Sequence, residues 1–350
     1  MKRFVAVLPA IVMTLFVCTI CGQDQPRLQG QAQSAQAAPL TEKEVITGLK
    51  KSPDQLLPLV SARGVDFDMT PDIEKRLRKA KADDTTLDII RNAGPTARAK
   101  AAQAGQTGPK ITQEEYQAFT GIRNELDPDK GIALVADFEK KFPTSSLLPY
   151  AYLIGANWYG QKNDVVNMVD FSMKSIKLKQ DNVPTLMLLA STLPTPQFLN
   201  RHQAEKEKYL GEAENYADLA LKLVPDTPRI KDETDDQFKK RQAQWASDIH
   251  ASLGMIHLQR ASLGLEGWDK DELAVSEKEY NQAISLDDRP NGQIYYRLGE
   301  ACAFDGKNDA AIAAFTKASE LGEGTIIKSA AEQQIERLKK LKTAQPTAKP

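Results

Sequence analysis

The sequence predicts an all-α protein in which an irregular solenoid of helical hairpins follows a small helical bundle. Three observations carry that expectation. From about Ile111 to Gly324, apolar and small residues recur at helical spacing, most clearly as Tyr295, Leu298 and Cys302 on one helix face and Ala311, Phe315 and Ala318 on another. Asp305-Gly306-Lys307-Asn308 stands between the two faces as a turn, so the unit is a hairpin; one hairpin cannot bury both apolar flanks and has to stack on copies of itself. A separate set of capped helix starts lies between Leu40 and Asn92, bounded on both sides by low-complexity sequence.

At the N-terminus, Lys2 and Arg3 precede an apolar run from Phe4 to Ile20, and polar residues follow at once. That order reads as an export signal over residues 1–22, and Pro9 together with the short run favours a cleaved leader over a permanent span. Cys21-Gly22 and Ala35-Gln36-Ala37 are the candidate cleavage sites. A lipid-modified cysteine normally follows a small residue, whereas Val17 and Ile20 are bulky, which makes lipoprotein anchoring the minority reading. The expected location is therefore periplasmic or secreted. Loss of the leader removes Cys18 and Cys21 and leaves Cys302, at a packing position, as a buried inert thiol.

Residues 23–39 are rich in Gln and Ala, and residues 93–110 in Ala, Gly, Gln and Lys; both read as flexible linkers. Between them, 40–92 reads as a bundle of three or four helices. Thr41 with Glu44 and Ser52 with Gln55 have the spacing of capping boxes, and Pro53 and Pro71 occupy first helical positions. Leu56, Leu57, Leu59, Val60, Ile73, Leu77, Leu87, Ile89 and Ile90 are its candidate core, and Gly64 is expected to end the second helix. The Arg63-Gly64-Val65-Asp66-Phe67 turn resembles a helical segment found ahead of other modules in some exported bacterial proteins, a likeness that implies no activity.

The hairpins are expected over 111–342, with unit starts near Thr112, Leu148, Val183, Ser247 and Asn291, and a tail at 343–350. Further copies read Ile154-Gly155, Trp158 and Phe171; then Leu189-Ala190, Ala213, Ala217, Ala220 and Pro225; then Leu253-Gly254, Tyr280 and Ala283. An aromatic, Leu-Gly, then Ala, Phe and Ala is the pattern of the tetratricopeptide repeat (TPR) family, which the chain resembles most closely in the unit from Asn291. Inserts at Leu193–Asn200, Thr227–Thr234 and Ala261–Glu272 stretch the period, and Ile326–Leu341 reads as a capping helix.

Composition and motifs argue against chemistry. Forty-six basic and 47 acidic residues give a net charge of −1 without a block of either sign, which disfavours nucleic acid. His250 and His257 share a helix face but stand about 10 Å apart along the axis, too far for one metal site, and His202 lies in a charged run. No metalloprotease, nucleophile-elbow or phosphate-loop signature occurs. Neither a cofactor nor a metal is expected, no stable membrane span remains after leader removal, and the expected activity is protein or peptide binding in the bacterial envelope. An envelope enzyme with an unrecognised site and a self-associating structural component are the alternatives.

The TPR resemblance implies a groove lined by the second, fifth, ninth and twelfth residues of each first helix. Carried onto this sequence, it points to Tyr152, Tyr159, Met255, Tyr296 and Glu300 as partner-binding residues, with Leu258 at such a position but read as packing.

Overall fold

The computed structural model describes residues 38–103, 111–230, 233–264 and 267–344, so the leader and its cysteines lie outside the described residues. Among these residues the regular structure is helical, with one isolated parallel bridge from Leu40 to Val65. The bundle comprises α1 (Glu42–Lys51), α2 (Pro53–Arg63), α3 (Pro71–Lys79) and α4 (Asp84–Asn92), and α5 (Pro95–Gln103) follows. The first hairpin is α6 (Gln113–Asn124) with α7 (Pro128–Lys141), and the second is α8 (Leu148–Gln161) with α9 (Val165–Leu178). In the third, α10 (Val183–Thr192) pairs with α12 (Lys206–Leu223) across the short α11 (Pro196–Leu199). The fourth is α13 (Asp235–Ala261) with α14 (Lys270–Leu286), the fifth α15 (Gly292–Phe304) with α16 (Asn308–Leu321), and α17 (Ile326–Ala344) closes the series.

Local chemistry explains most boundaries. Thr41 and Thr112 make full capping boxes with Glu44 and Glu115, while Thr70 and Asp83 each accept a backbone N–H of the first turn. Ser52 departs from expectation: its side chain makes no cap bond, because it closes α1 and opens α2 at once and its φ of −153° and ψ of 68° turn the hydroxyl away. Gly64 ends α2 at a φ of +73°, which a side chain would resist. Leu59, expected in the core, is exposed, since Leu56, Leu57 and Val60 already occupy the inward face of α2.

Two segments differ more. The stretch 93–110, expected as a linker, holds α5, whose Arg98 donates from Nη2 to the Val65 carbonyl at 2.8 Å. The bundle also shares one continuous apolar core with the first two hairpins, running from Leu40 through Leu87 and Phe119 to Phe171, with α2 packed on α6. A linker reading depends on polarity and small residues, and Ala-rich sequence satisfies a helix equally well. The third hairpin's second helix starts at Lys206 rather than Arg201, because Phe198, stacked on His202, first closes a separate turn.

The second, fourth and fifth hairpins close around a glycine of the first helix. A Cβ on Gly155, Gly254 or Gly299 would lie 2.7, 2.8 and 2.8 Å from the rings of Phe171, Tyr280 and Phe315, and one on Gly131 would lie 2.3 Å from Trp158 of the next hairpin. Each second helix packs on the following first helix, and the first helices α6 and α8, α10 and α13, α13 and α15, and α15 and α17 also touch. The second helices of successive hairpins make no comparable contact. The layer whose members approach one another is the inside of a curve, so the first helices line the inner face.

Gly131→Ala is expected to lower stability by about 1–3 kcal/mol through displacement of Trp158, outweighing the gain in helix propensity. Gly121→Ala, where a Cβ meets nothing within 4 Å, should instead raise it by about 0.5–1 kcal/mol. Paired urea-unfolding midpoints measure the contrast.

Candidate functional site

The register of each first helix follows from contacts between its start and the last small residue of its hairpin. Ser247 Oγ donates to the Ala283 carbonyl at 2.8 Å, a Cβ on Gly292 would lie 2.9 Å from the Ala318 carbonyl, and Ser175 Oγ donates to the Pro149 carbonyl at 2.8 Å. Pro149, Ser247 and Gly292 are therefore equivalent. The next inner-face residues are Tyr150, Leu153 and Asn157 on α8; Asp248, Ala251 and Met255 on α13; and Gln293, Tyr296 and Glu300 on α15. Burial follows the same register, the equivalents of Pro149, Ala151, Gly155 and Ala156 being buried on all three helices and the inner positions partly or wholly open.

This register places Met255, Tyr296 and Glu300 on one face and takes Tyr152 and Tyr159 away from it, which corrects the sequence-derived set. Tyr152 is 4% exposed, sits edge-on to Phe171 at 5.7 Å between ring centroids and lies beneath Lys174 Nζ at 5.3 Å. Tyr159 packs edge-on to the same ring at 4.9 Å. The error has a physical origin: Phe171 stands one residue earlier in its hairpin than Phe315 does, so aligning the two aromatics shifts α8 by one residue, or about 100°. Tyr152 and Tyr159 are equivalent to His250 and His257, whose Nδ1 atoms lie 2.6 Å from carboxylates of Glu279 and Glu272 on α14. Those histidines tie α13 to its partner helix. Leu258 is buried, as its packing role requires.

The groove is mixed in character. Leu153, Met255 and Tyr296 are half-buried, Met187 on α10 is half-buried between them, and Asn157 and Glu300 supply polar groups. Glu300 accepts from Arg297 Nη1 at 2.7 Å, while burial first, and then Glu300, push the Tyr296 phenol upward. Asp248 is reachable by solvent; desolvation, reinforced by Asp287, pushes its pKa up to about 6 against an opposing hydrogen bond from Gln244. Sequence reasoning missed Tyr150, Leu153, Asn157, Met187 and Asp248. The available signal was the alignment of Ser175, rather than Phe171, with Ala283 and Ala318.

Cys302 is buried, and its thiol is pushed up to about 11 by desolvation and then by Glu277. Among the described residues no group of three or more His, Cys, Asp or Glu side chains is placed to hold a metal ion, and no helix is long and apolar enough to cross a membrane.

No family model and no curated protein matches the chain. Among solved structures it is similar to TTC0263, a thermophilic TPR protein of Thermus thermophilus, at 17% identity and a TM-score of 0.41, over 64% of this chain and 98% of that one. It is also similar to yeast Tom70, at 14% identity and a TM-score of 0.31, over 86% of this chain and 60% of Tom70's length.

Tyr152→Ala should destabilise the protein by about 3–5 kcal/mol, as loss of a buried aromatic does, with Tyr152→Phe costing less than about 1.5 kcal/mol. For Asp248, the folded pKa lies above the unfolded value of 3.8, so the native state holds the proton more tightly and stability falls as pH rises from about 3.8 through about 6. Asp248→Asn is therefore expected to stabilise the protein at about pH 7.5 by on the order of 1 kcal/mol, discounted for exposure, and to change nothing near about pH 3. Chemical denaturation at the two pH values tests it.

Proposed function

We propose that this protein is a non-catalytic binding scaffold of the bacterial envelope that captures an extended or helical segment of another protein on the inner face of its hairpins. The observation that carries this reading is the row of half-buried apolar side chains contributed by successive first helices, Leu153, Met187, Met255 and Tyr296, with Asn157 and Glu300 beside them. Thioether and aromatic side chains bury much area for a modest loss of rotamer freedom, and interspersed amide and carboxylate groups fix the register of a bound backbone. The partner is a protein or peptide. The basic start and apolar run before residue 22 support export, and the absence of a basic block supports a protein rather than a nucleic-acid partner.

The test compares wild type with Met187→Glu and Met255→Glu, which place charge on the groove floor. Each purified protein is immobilised and exposed to solubilised envelope material from the native cell. Binding through the groove requires the specifically captured partner to fall at least about tenfold in both variants while helical content by circular dichroism stays unchanged. Equal capture by all three proteins would reject the groove, and self-capture by this chain alone would favour a self-associating structural role.

A further inference from the structure

The connection between α13 and α14 brings an aromatic side chain to one end of the inner face. Trp268 is 39% exposed and lies flat on Phe304 of α15, with ring centroids 3.7 Å apart and planes 11° from parallel. Phe304 stands one helical turn beyond Glu300, so it continues the row of Tyr296 and Glu300 along α15. Phe304 and Met255 pack on one small buried cluster of Leu258, Ala261, Leu273 and Ala301, which makes the stack continuous with the apolar floor. The Asp269 backbone N–H donates to the Ala261 carbonyl at 3.0 Å and closes the connection at its base, fixing Trp268 beside α15. Stacking covers one side of the Trp268 ring, and its exposed remainder is a flat apolar platform.

The opposite end of the same face is acidic. Asp248, next to Ser247 at the start of the register, is exposed and accepts from the Gln244 side-chain amide at 3.2 Å. The loop from α14 to α15 lies beside it, held by the Ser247 hydroxyl on the Ala283 carbonyl at 2.8 Å and by Lys240 on Asp288 at 3.2 Å. On that loop Asp287 accepts the Arg289 backbone N–H at 2.9 Å. Among the described residues neither Asp248 nor Asp287 is in an ion pair, whereas Glu300, Glu272 and Glu279 are held by Arg297, His257 and His250. Arg337, an exposed cation close enough for Tyr296 to feel, belongs to α17 on the other side of α15. Asp248 is level with Gln293, and eleven residues of helix separate Gln293 from Phe304, so the acidic and aromatic ends stand about 16 Å apart.

We propose that the groove between α13 and α15 is polarised for a segment with Lys or Arg at one end and an aromatic or long aliphatic side chain at the other. The cation pairs with Asp248 and Asp287, and the apolar side chain seats on the Trp268 and Phe304 stack. The span corresponds to about five residues of extended chain or about eleven of helix. Carboxylates left without a cation, on a face whose other carboxylates are matched, complement a cation brought from outside, and charge at one end alone fixes the direction in which the segment lies. Tyr296 and Met255 line the path between the two ends. This proposal rests on the scaffold reading above and adds the partner's chemistry to it.

The experiment selects a phage-displayed library of random peptides of about twelve residues, long enough to span both ends, on the immobilised full mature chain, in parallel with Asp248→Lys, Trp268→Ala and Met255→Glu. Wild type is expected to enrich peptides with a basic residue at one end and an aromatic, Leu or Met at the other. Asp248→Lys should lose the basic preference and keep the apolar one, and Trp268→Ala should do the converse. A peptide selected on wild type should bind each of these two variants at least about tenfold more weakly by fluorescence anisotropy. Enrichment that Met255→Glu abolishes but that lacks a basic end, or that favours acidic peptides, would overturn the proposal and leave the groove reading standing. No enrichment over a bare surface, or enrichment indifferent to Met255→Glu, would reject the groove and the proposal together. Circular dichroism checks each fold; should Trp268→Ala lose helix, Trp268→Gln replaces it, and a retained apolar preference there counts against the proposal.

Discussion

The structure depends on close approach between helices at positions where a side chain is missing. Gly131, Gly155, Gly254 and Gly299 each receive an aromatic ring at a distance that a Cβ could not share, and each sits where a hairpin closes or meets the next. Glycine in a helix interior is unfavourable on propensity alone, so its presence implies a packing return larger than about 1 kcal/mol per site. That contact sets the crossing in the second, fourth and fifth hairpins, and stacking of successive hairpins carries the chain forward as a solenoid. Without it, the apolar flank of every hairpin would face water.

From the crossing follows the inner face. The first helices approach one another and the second helices splay apart, so residues one, four and eight positions after the start of each first helix converge on common ground. The groove's polarity is a consequence of this convergence. Asp248 shows the electrostatic side of it: desolvation, reinforced by Asp287, pushes its pKa up to about 6 although its side chain is exposed. The histidines of α13, one position removed, face the second helices and serve as hydrogen-bonded ties to Glu272 and Glu279.

The N-terminal bundle is part of the same body. Its core runs without a break into the first two hairpins, and its α4 carboxylates reach Arg123, Tyr150 and Lys179. Apolar burial on one side and directed charge on the other divide the work in the ordinary way: the first supplies most of the attachment and the second its orientation.

The sequence by itself determined the helical class, most of the caps, and hairpin starts near Thr112, Leu148, Val183 and Asn291, because helical period, capping hydroxyls and turn glycines act over a few neighbouring residues. It also identified Met255, Tyr296 and Glu300 as lying on one kind of face. Only the tertiary structure decided that Tyr152 and Tyr159 pack inward, that Tyr150 and Leu153 take the inner-face positions, and that Asp88 of α4 meets Tyr150. A shift of one residue turns a helix face by about 100°, and one aromatic standing a place early conceals that shift in a degenerate repeat. Contacts between Asp88 and Tyr150, or between Asp83 and Arg123, join residues far apart in the chain and leave no local periodicity by which they could be read.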